Sequence, residues 1–118
     1  MEKIPSGLNL CSFLENFSAP ENMLSGAIPN QIGELVSLKV LDLGDNFLDQ
    51  KFPTEIGDLS ELESLSLFSN FLTGLIPEEI WNLSLLRLLT LQSNSLQGSL
   101  PSEIGRMTSL GKFQPLSE

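Results

Sequence analysis

Four asparagines, Asn22, Asn46, Asn70 and Asn94, stand 24 residues apart, and four prolines, Pro29, Pro53, Pro77 and Pro101, keep the same interval. A fixed period between about 20 and 50 residues marks a solenoid, in which each unit is one supersecondary element stacked on the next. The interval therefore constrains the architecture before the chemistry of any residue is weighed.

Set in rows of 24, the chain divides into a half unit over 1–13, full units over 14–37, 38–61, 62–85 and 86–109, and a partial unit over 110–118. The units open with LENFSAPEN, LKVLDLGDN, LESLSLFSN and LRLLTLQSN. Seven positions per unit, those of Leu38, Leu41, Leu43, Leu48, Phe52, Ile56 and Leu59 and their equivalents, are apolar in all four, although the chain as a whole is 41% hydrophobic. These positions predict a shared interior spine, with Ala19 and Met107 its least typical members.

Spacing also predicts the anatomy of one unit. Alternation at Leu41 and Leu43 puts two leucines on one face of a short strand and turns Asp42 and Gly44 the other way. The asparagine that follows can bond turn groups that stacking would otherwise bury without partners, so its column reads as structural rather than as a ligand site. Gly26, Gly74 and Gly98 suit a turn with positive φ, and Gln50 at the equivalent place predicts an altered or strained turn. Proline followed two residues later by Glu55, Glu79 or Glu103 predicts a short helix or 3₁₀ start, with the carboxylate at the positive end of the dipole.

The pattern LxxLxLxxNxLxGxIPxxIGxL is similar to the plant-type leucine-rich repeat, and the resemblance covers nearly the whole chain. It implies an α/β solenoid: a right-handed arc with a parallel β-sheet on the concave face and 3₁₀ or irregular segments on the convex face. It also implies a binding role toward proteins or peptides, as in ectodomains of receptor-like kinases, receptor-like proteins and polygalacturonase inhibitors. An extracellular or membrane-attached setting follows from the resemblance alone. The chain begins halfway through a repeat, Pro115 falls where Leu43, Leu67 and Leu91 stand, and no paired-cysteine cap is present. A proline cannot donate to a ladder, so the sheet is expected to end there, and the chain reads as a piece of a longer protein or a truncated product.

Composition narrows the function. A net charge of −9 opposes binding to nucleic acid or to anionic membranes, and favours a basic or neutral partner. No apolar run approaches 18 residues, so membrane attachment would need segments absent from this chain. With no His, no Tyr and one Cys, the common general bases, nucleophile partners and transition-metal ligands are missing, and the chain is expected to be neither an enzyme nor a cofactor carrier. The carboxylates of Asp42, Asp45 and Asp49 do not follow the alternate spacing of a calcium loop. Cys11 shares the phase of Leu35 and Leu59 and is expected to be a small buried hydrophobe. Two glycosylation sequons, at Asn16 and Asn82, would suit a secreted protein but also arise by chance at this composition.

Recognition is left to the outward columns of the strands. There Asp42, Asp45, Ser66, Phe68, Phe71, Leu88, Thr90 and Gln92 are the candidate ligand contacts on the concave face. Met23, Phe47 and Phe71 form a column just after the asparagines, either packing the loops together or acting as exposed anchors. Glu15, Lys39, Glu63 and Arg87 alternate in sign, a ladder for register worth about 0.2 to 1 kcal/mol per pair. Trp81 replaces the glycine of the IG element and either wedges between convex segments or marks a back-face contact. A purely structural spacer is the main rival reading. A flat ice- or polysaccharide-binding array is the third, opposed by the mixed column Ser18, Asp42, Ser66 and Thr90.

Overall fold

The computed structural model describes residues 2–7 and 11–97, together with the backbone of 112–114. Five short strands, β1 (Asn16–Ser18), β3 (Val40–Asp42), β5 (Ser64–Ser66), β7 (Leu88–Thr90) and β9 (Lys112–Gln114), form one parallel sheet in the order β1-β3-β5-β7-β9. Their register follows the sequence period, with Asn16 opposite Val40, Val40 opposite Ser64, Ser64 opposite Leu88 and Leu88 opposite Lys112. The ladder continues past the strands, since Glu21, Asp45 and Ser69 donate to the carbonyls of Gly44, Phe68 and Gln92 at 2.9, 2.9 and 3.0 Å. This is the concave sheet of a leucine-rich-repeat solenoid.

A second parallel sheet, β2 (Ser25–Gly26), β4 (Phe47–Lys51), β6 (Phe71–Leu75) and β8 (Ser95–Gln97), has no counterpart in the reading of the sequence. Its strands slip by two residues relative to the repeat, so that Ser25 faces Phe47, Asp49 faces Phe71 and Thr73 faces Ser95. In β4 only Leu48 is buried, and the usual alternation is therefore missing. The sheet exists because stacking lays equivalent backbones side by side, after which their amides and carbonyls pair rather than stay unsatisfied.

On the convex side, 3₁₀ segments run over Asn30–Glu34, Thr54–Asp58 and Glu78–Asn82, each entered from a proline with extended backbone. The carbonyls of Pro29, Pro53 and Pro77 accept from the amides of Ile32, Ile56 and Ile80 at 3.0, 3.3 and 3.2 Å, so proline caps each turn from just outside it. Gly33 and Gly57 allow these segments to approach closely: an added Cβ would lie 2.7 Å from the Glu55 carbonyl oxygen or 2.4 Å from the Glu79 Cβ. Trp81, at the same phase, is buried among the core side chains rather than presented to solvent.

Leu38, Leu41, Leu43, Leu48, Ile56, Leu59, Leu62, Leu65, Leu67 and Leu72 are wholly buried and make the predicted spine. The asparagines join one turn to the next. Asn70 donates through Nδ2 to the carbonyls of Leu67, Phe68 and Leu43, the last in the preceding turn, and its Oδ1 accepts from the Leu48 amide at 2.9 Å. Asn46 and Asn94 repeat the arrangement with Ala19, Leu24, Leu67 and Leu72. Gln50 has φ of 66°, beside 79° at Gly26 and 82° at Gly74, and thus occupies the strained turn expected of it.

Cys11 corrects an expectation, because it is exposed rather than buried. Leu14, counted among the inward positions, is also 36% exposed. Ile4, also at an inward phase and earlier in the chain, is only 6% exposed, so phase alone does not decide burial in this part of the stack. The expectations for Gly98, for Pro101 with Glu103, for Met107 and for the sheet ending at Pro115 lie outside the described residues.

Candidate ligand-binding surface

Along the concave strands, small polar residues pair with each other. Ser66 faces Thr90 across β5 and β7, and their hydroxyls lie 2.7 Å apart with both residues at or below 9% exposure. Asp42, the third member of the column, is half-buried and accepts the Gly44 amide through Oδ1 at 3.2 Å, an Asx-type turn that holds its carboxylate toward its own backbone. The middle of the sheet is thus mostly self-satisfied.

One column further along, the pattern breaks. Phe68 lays its ring over Gly44, where an added Cβ would come within 2.5 Å of Cε1 and 2.9 Å of Cδ1. No other residue type at position 44 leaves room for that ring. Phe68 stays half-exposed, as do Gln92 in the same column and Leu88 at the start of β7. The Gln92 Oε1 is buried without a hydrogen-bond partner among the described residues.

At the rim, Glu21, Asp45, Ser69 and Ser93 all adopt left-handed backbone, with φ of 56, 56, 55 and 61°. Non-glycine residues persist there only where surroundings over-determine them. For the first three, the amide bonds to the neighbouring rung supply that constraint. The turn carries these side chains outward, beside Phe47 and Phe71, whose rings stack at 6.1 Å with an interplanar angle of 13°. Both rings remain open, at 39% and 57% exposure, so this column packs against itself and is also presented to solvent. Together with Asn22, Asn46 and Asn70 they line a groove of about 530 Å³.

The structure therefore brings Ser66 to Thr90, seats Phe68 on Gly44, and joins Asp45 and Phe71 in the rim groove. Leu88 and Gln92 belong to separate columns of the concave sheet. Glu21, Phe47, Ser69 and Ser93 were not among the candidates, although they share the columns of Asp45 and Phe71 and the period alone could have added them. Asn16 lies in β1, and Asn82 ends the third 3₁₀ segment; both are exposed. Among the described residues, no three acidic or sulfur side chains converge on a metal position.

Two parallel sheets, proline-led 3₁₀ turns and an asparagine ladder define a plant-type leucine-rich-repeat solenoid. The chain belongs to the leucine-rich repeat family, whose model matches residues 36–96, more than half of its length. It is similar to the solved PEPR1 chain of a PEPR1–AtPEP1 structure, with 42% identity over 98% of this chain and a TM-score of 0.92. It is also similar to the Arabidopsis receptor kinase HAESA, solved with the peptide hormone IDA and the co-receptor SERK1, at 32% identity over 98% of this chain and a TM-score of 0.92. The ectodomain of the receptor kinase SOBIR1 from Arabidopsis thaliana gives 31% identity over 94% of this chain and a TM-score of 0.88. This chain spans 16% of the PEPR1 chain, 20% of the HAESA chain and 60% of the SOBIR1 chain. Comparison with curated protein sequences returns no match.

Proposed function

We propose that the chain is a protein- or peptide-binding module that takes its ligand on the concave face, as part of a longer receptor-like or secreted protein. The observation that carries this reading is Phe68, an aromatic held half-exposed on the sheet by a glycine seat. Such an anchor loses little freedom on binding and supplies large contact area. The HAESA structure, solved with a peptide hormone, lends the same reading support, as does the plant peptide hormone receptor RGFR1, solved in complex with RGF2. On this proposal Phe68, Leu88 and Gln92 make the direct contacts, Asp42 and Asp45 favour a basic ligand, and Phe71 extends the surface at the rim. Ser66 and Thr90, bonded to each other and nearly covered, form the floor. The division into four full units over 14–37, 38–61, 62–85 and 86–109 is part of the same proposal.

Five strands about 4.8 Å apart give a face roughly 20 Å across, room for about six extended residues. An interface so small binds weakly by itself, so display selection of peptides suits the test. Peptides selected on the whole chain should lose at least fivefold in affinity to F68A and L88A, while the urea midpoint read from Trp81 fluorescence moves little. Unchanged binding in both variants would instead favour the spacer reading.

A further inference from the structure

The geometry points to the rim groove as a seat for an arginine- or lysine-bearing segment of a protein or peptide, its cation lying on the Phe71 and Phe47 rings beside Asp45 and Glu21. This rests on the binding role proposed above and names the chemistry that one part of the surface accepts.

The groove's lining sorts into groups already engaged and groups still free. Asn46 and Asn70 have every side-chain donor committed to turn carbonyls, so they offer a ligand no N–H. Ser69 and Ser93 add hydroxyls. The remaining functional groups are the exposed Asn22 amide, which donates once to the Pro20 carbonyl, the exposed carboxylates of Glu21 and Asp45, and two open phenyl rings. The lining contains no Lys or Arg.

A carboxylate and the face of an aromatic ring both attract cations, and neither favours an anion. The slipped register of the second sheet adds to this, because it sets Asp49 directly opposite Phe71, and Asp49 is exposed. Phe71 thereby shares the groove lining with Asp45 and is the strand partner of Asp49. A planar guanidinium can stack on a ring and bond a carboxylate at once, which an ammonium does less well, so arginine should outrank lysine.

Charge complementarity selects among occupants. At −9, the chain repels anionic lipid, nucleic acid and a second copy of itself, and attracts a basic segment from a distance. The rings provide what general attraction does not, namely a fixed place for the cation.

The test titrates the whole chain with hexa-arginine, hexalysine and hexaglutamate, following aromatic and amide NMR signals. Hexa-arginine should shift the Phe47 and Phe71 ring signals and the amides of Glu21 and Asp45, with an affinity that weakens as salt rises. Hexalysine should bind several-fold more weakly, and hexaglutamate should move nothing. The double variant F47S/F71S should lose at least fivefold in hexa-arginine affinity, and E21Q/D45N a similar amount, with Trp81 fluorescence confirming that each is folded. V36S, a change at an exposed residue outside both surfaces, should stay within twofold of the parent.

Equal hexa-arginine binding by F47S/F71S would reduce the effect to net charge and overturn the proposal. Shifts confined to Phe68, Leu88 and Gln92 would also overturn it while leaving concave-face recognition intact. Concentration-dependent shifts of the ring signals without any added peptide would place a second copy in the groove, again against it. Conversely, if selected peptides ignore F68A and L88A while hexa-arginine still moves the rings, the concave-face reading fails and the rim assignment stands.

Discussion

Replacing Asn70 by alanine should be among the most destabilising single polar changes in the chain, and replacing Asn22 among the mildest, although the two residues hold the same place in the repeat. Asn70 is 5% exposed and makes four side-chain hydrogen bonds, two of them to the rung before it. In N70A the carbonyls of Leu43 and Leu67 keep the Nδ2 groups of Asn46 and Asn94, and Phe68 keeps the amide of Asp45. The buried Leu48 amide loses its Asn70 partner. One orphaned buried donor costs about 1–3 kcal/mol, and the lost bonds to shared carbonyls add up to about 1 more, for about 2–4 kcal/mol in all. Asn22 is exposed and makes one bond, to the Pro20 carbonyl in its own turn, so N22A should cost no more than about 0.5 kcal/mol.

The assay is urea unfolding followed by fluorescence of Trp81, the single tryptophan and only 4% exposed, with the m-value checked for constancy. Hydrogen exchange at the Leu48 amide supplies a local reading, since its protection should fall selectively in N70A. If N70A and N22A shift the midpoint equally, or Leu48 stays protected, the asparagines do not tie rung to rung and the account of the stack is wrong.

Gln50→Gly should stabilise the chain by about 0.5–1 kcal/mol, because relief of a left-handed non-glycine, about 1–2 kcal/mol, exceeds the added freedom of the unfolded chain; a lowered urea midpoint would contradict this. Gly57→Ala forces a Cβ onto Glu79 and should cost about 1–3 kcal/mol by thermal or urea melting, whereas Gly7→Ala, with no atom within 4 Å of the new Cβ, should be neutral. S66A alone strands a buried hydroxyl and should cost about 1–2 kcal/mol, while S66A/T90V should cost less than the sum of the single changes, with a coupling of about 1 kcal/mol in a double-mutant cycle.

Periodicity made the spine, the concave sheet, the proline-led turns and the asparagine ladder legible, since each repeats a residue type whose physics has one reading. Leu41, Leu65 and Leu89 announce a strand face by alternation, and Gln50 announces a strained turn by contrast with Gly26 and Gly74. The second sheet was hidden because strands such as FLDQK show no alternation; their pairing follows from stacking, not from side-chain pattern. Cys11 was misread for a related reason, as phase encodes direction but not whether the residue is covered. The candidate surface was legible as columns, but which members stay accessible depends on neighbours 24 residues away, as with Ser66 and Thr90.

That dependence suggests where recognition falls in such a stack. Strands about 4.8 Å apart leave each outward side chain crowded on both sides by its column, so like residues satisfy one another and withdraw from solvent. A side chain is offered to a ligand where the column breaks or the backbone turns it out. Gly44 breaks a column and so seats Phe68 in view, whereas the left-handed residues at the rim swing Glu21 and Asp45 out beside Phe47 and Phe71. Uniform columns therefore hold the rungs together, and on the binding role proposed above the irregular ones are where ligand contacts are to be sought.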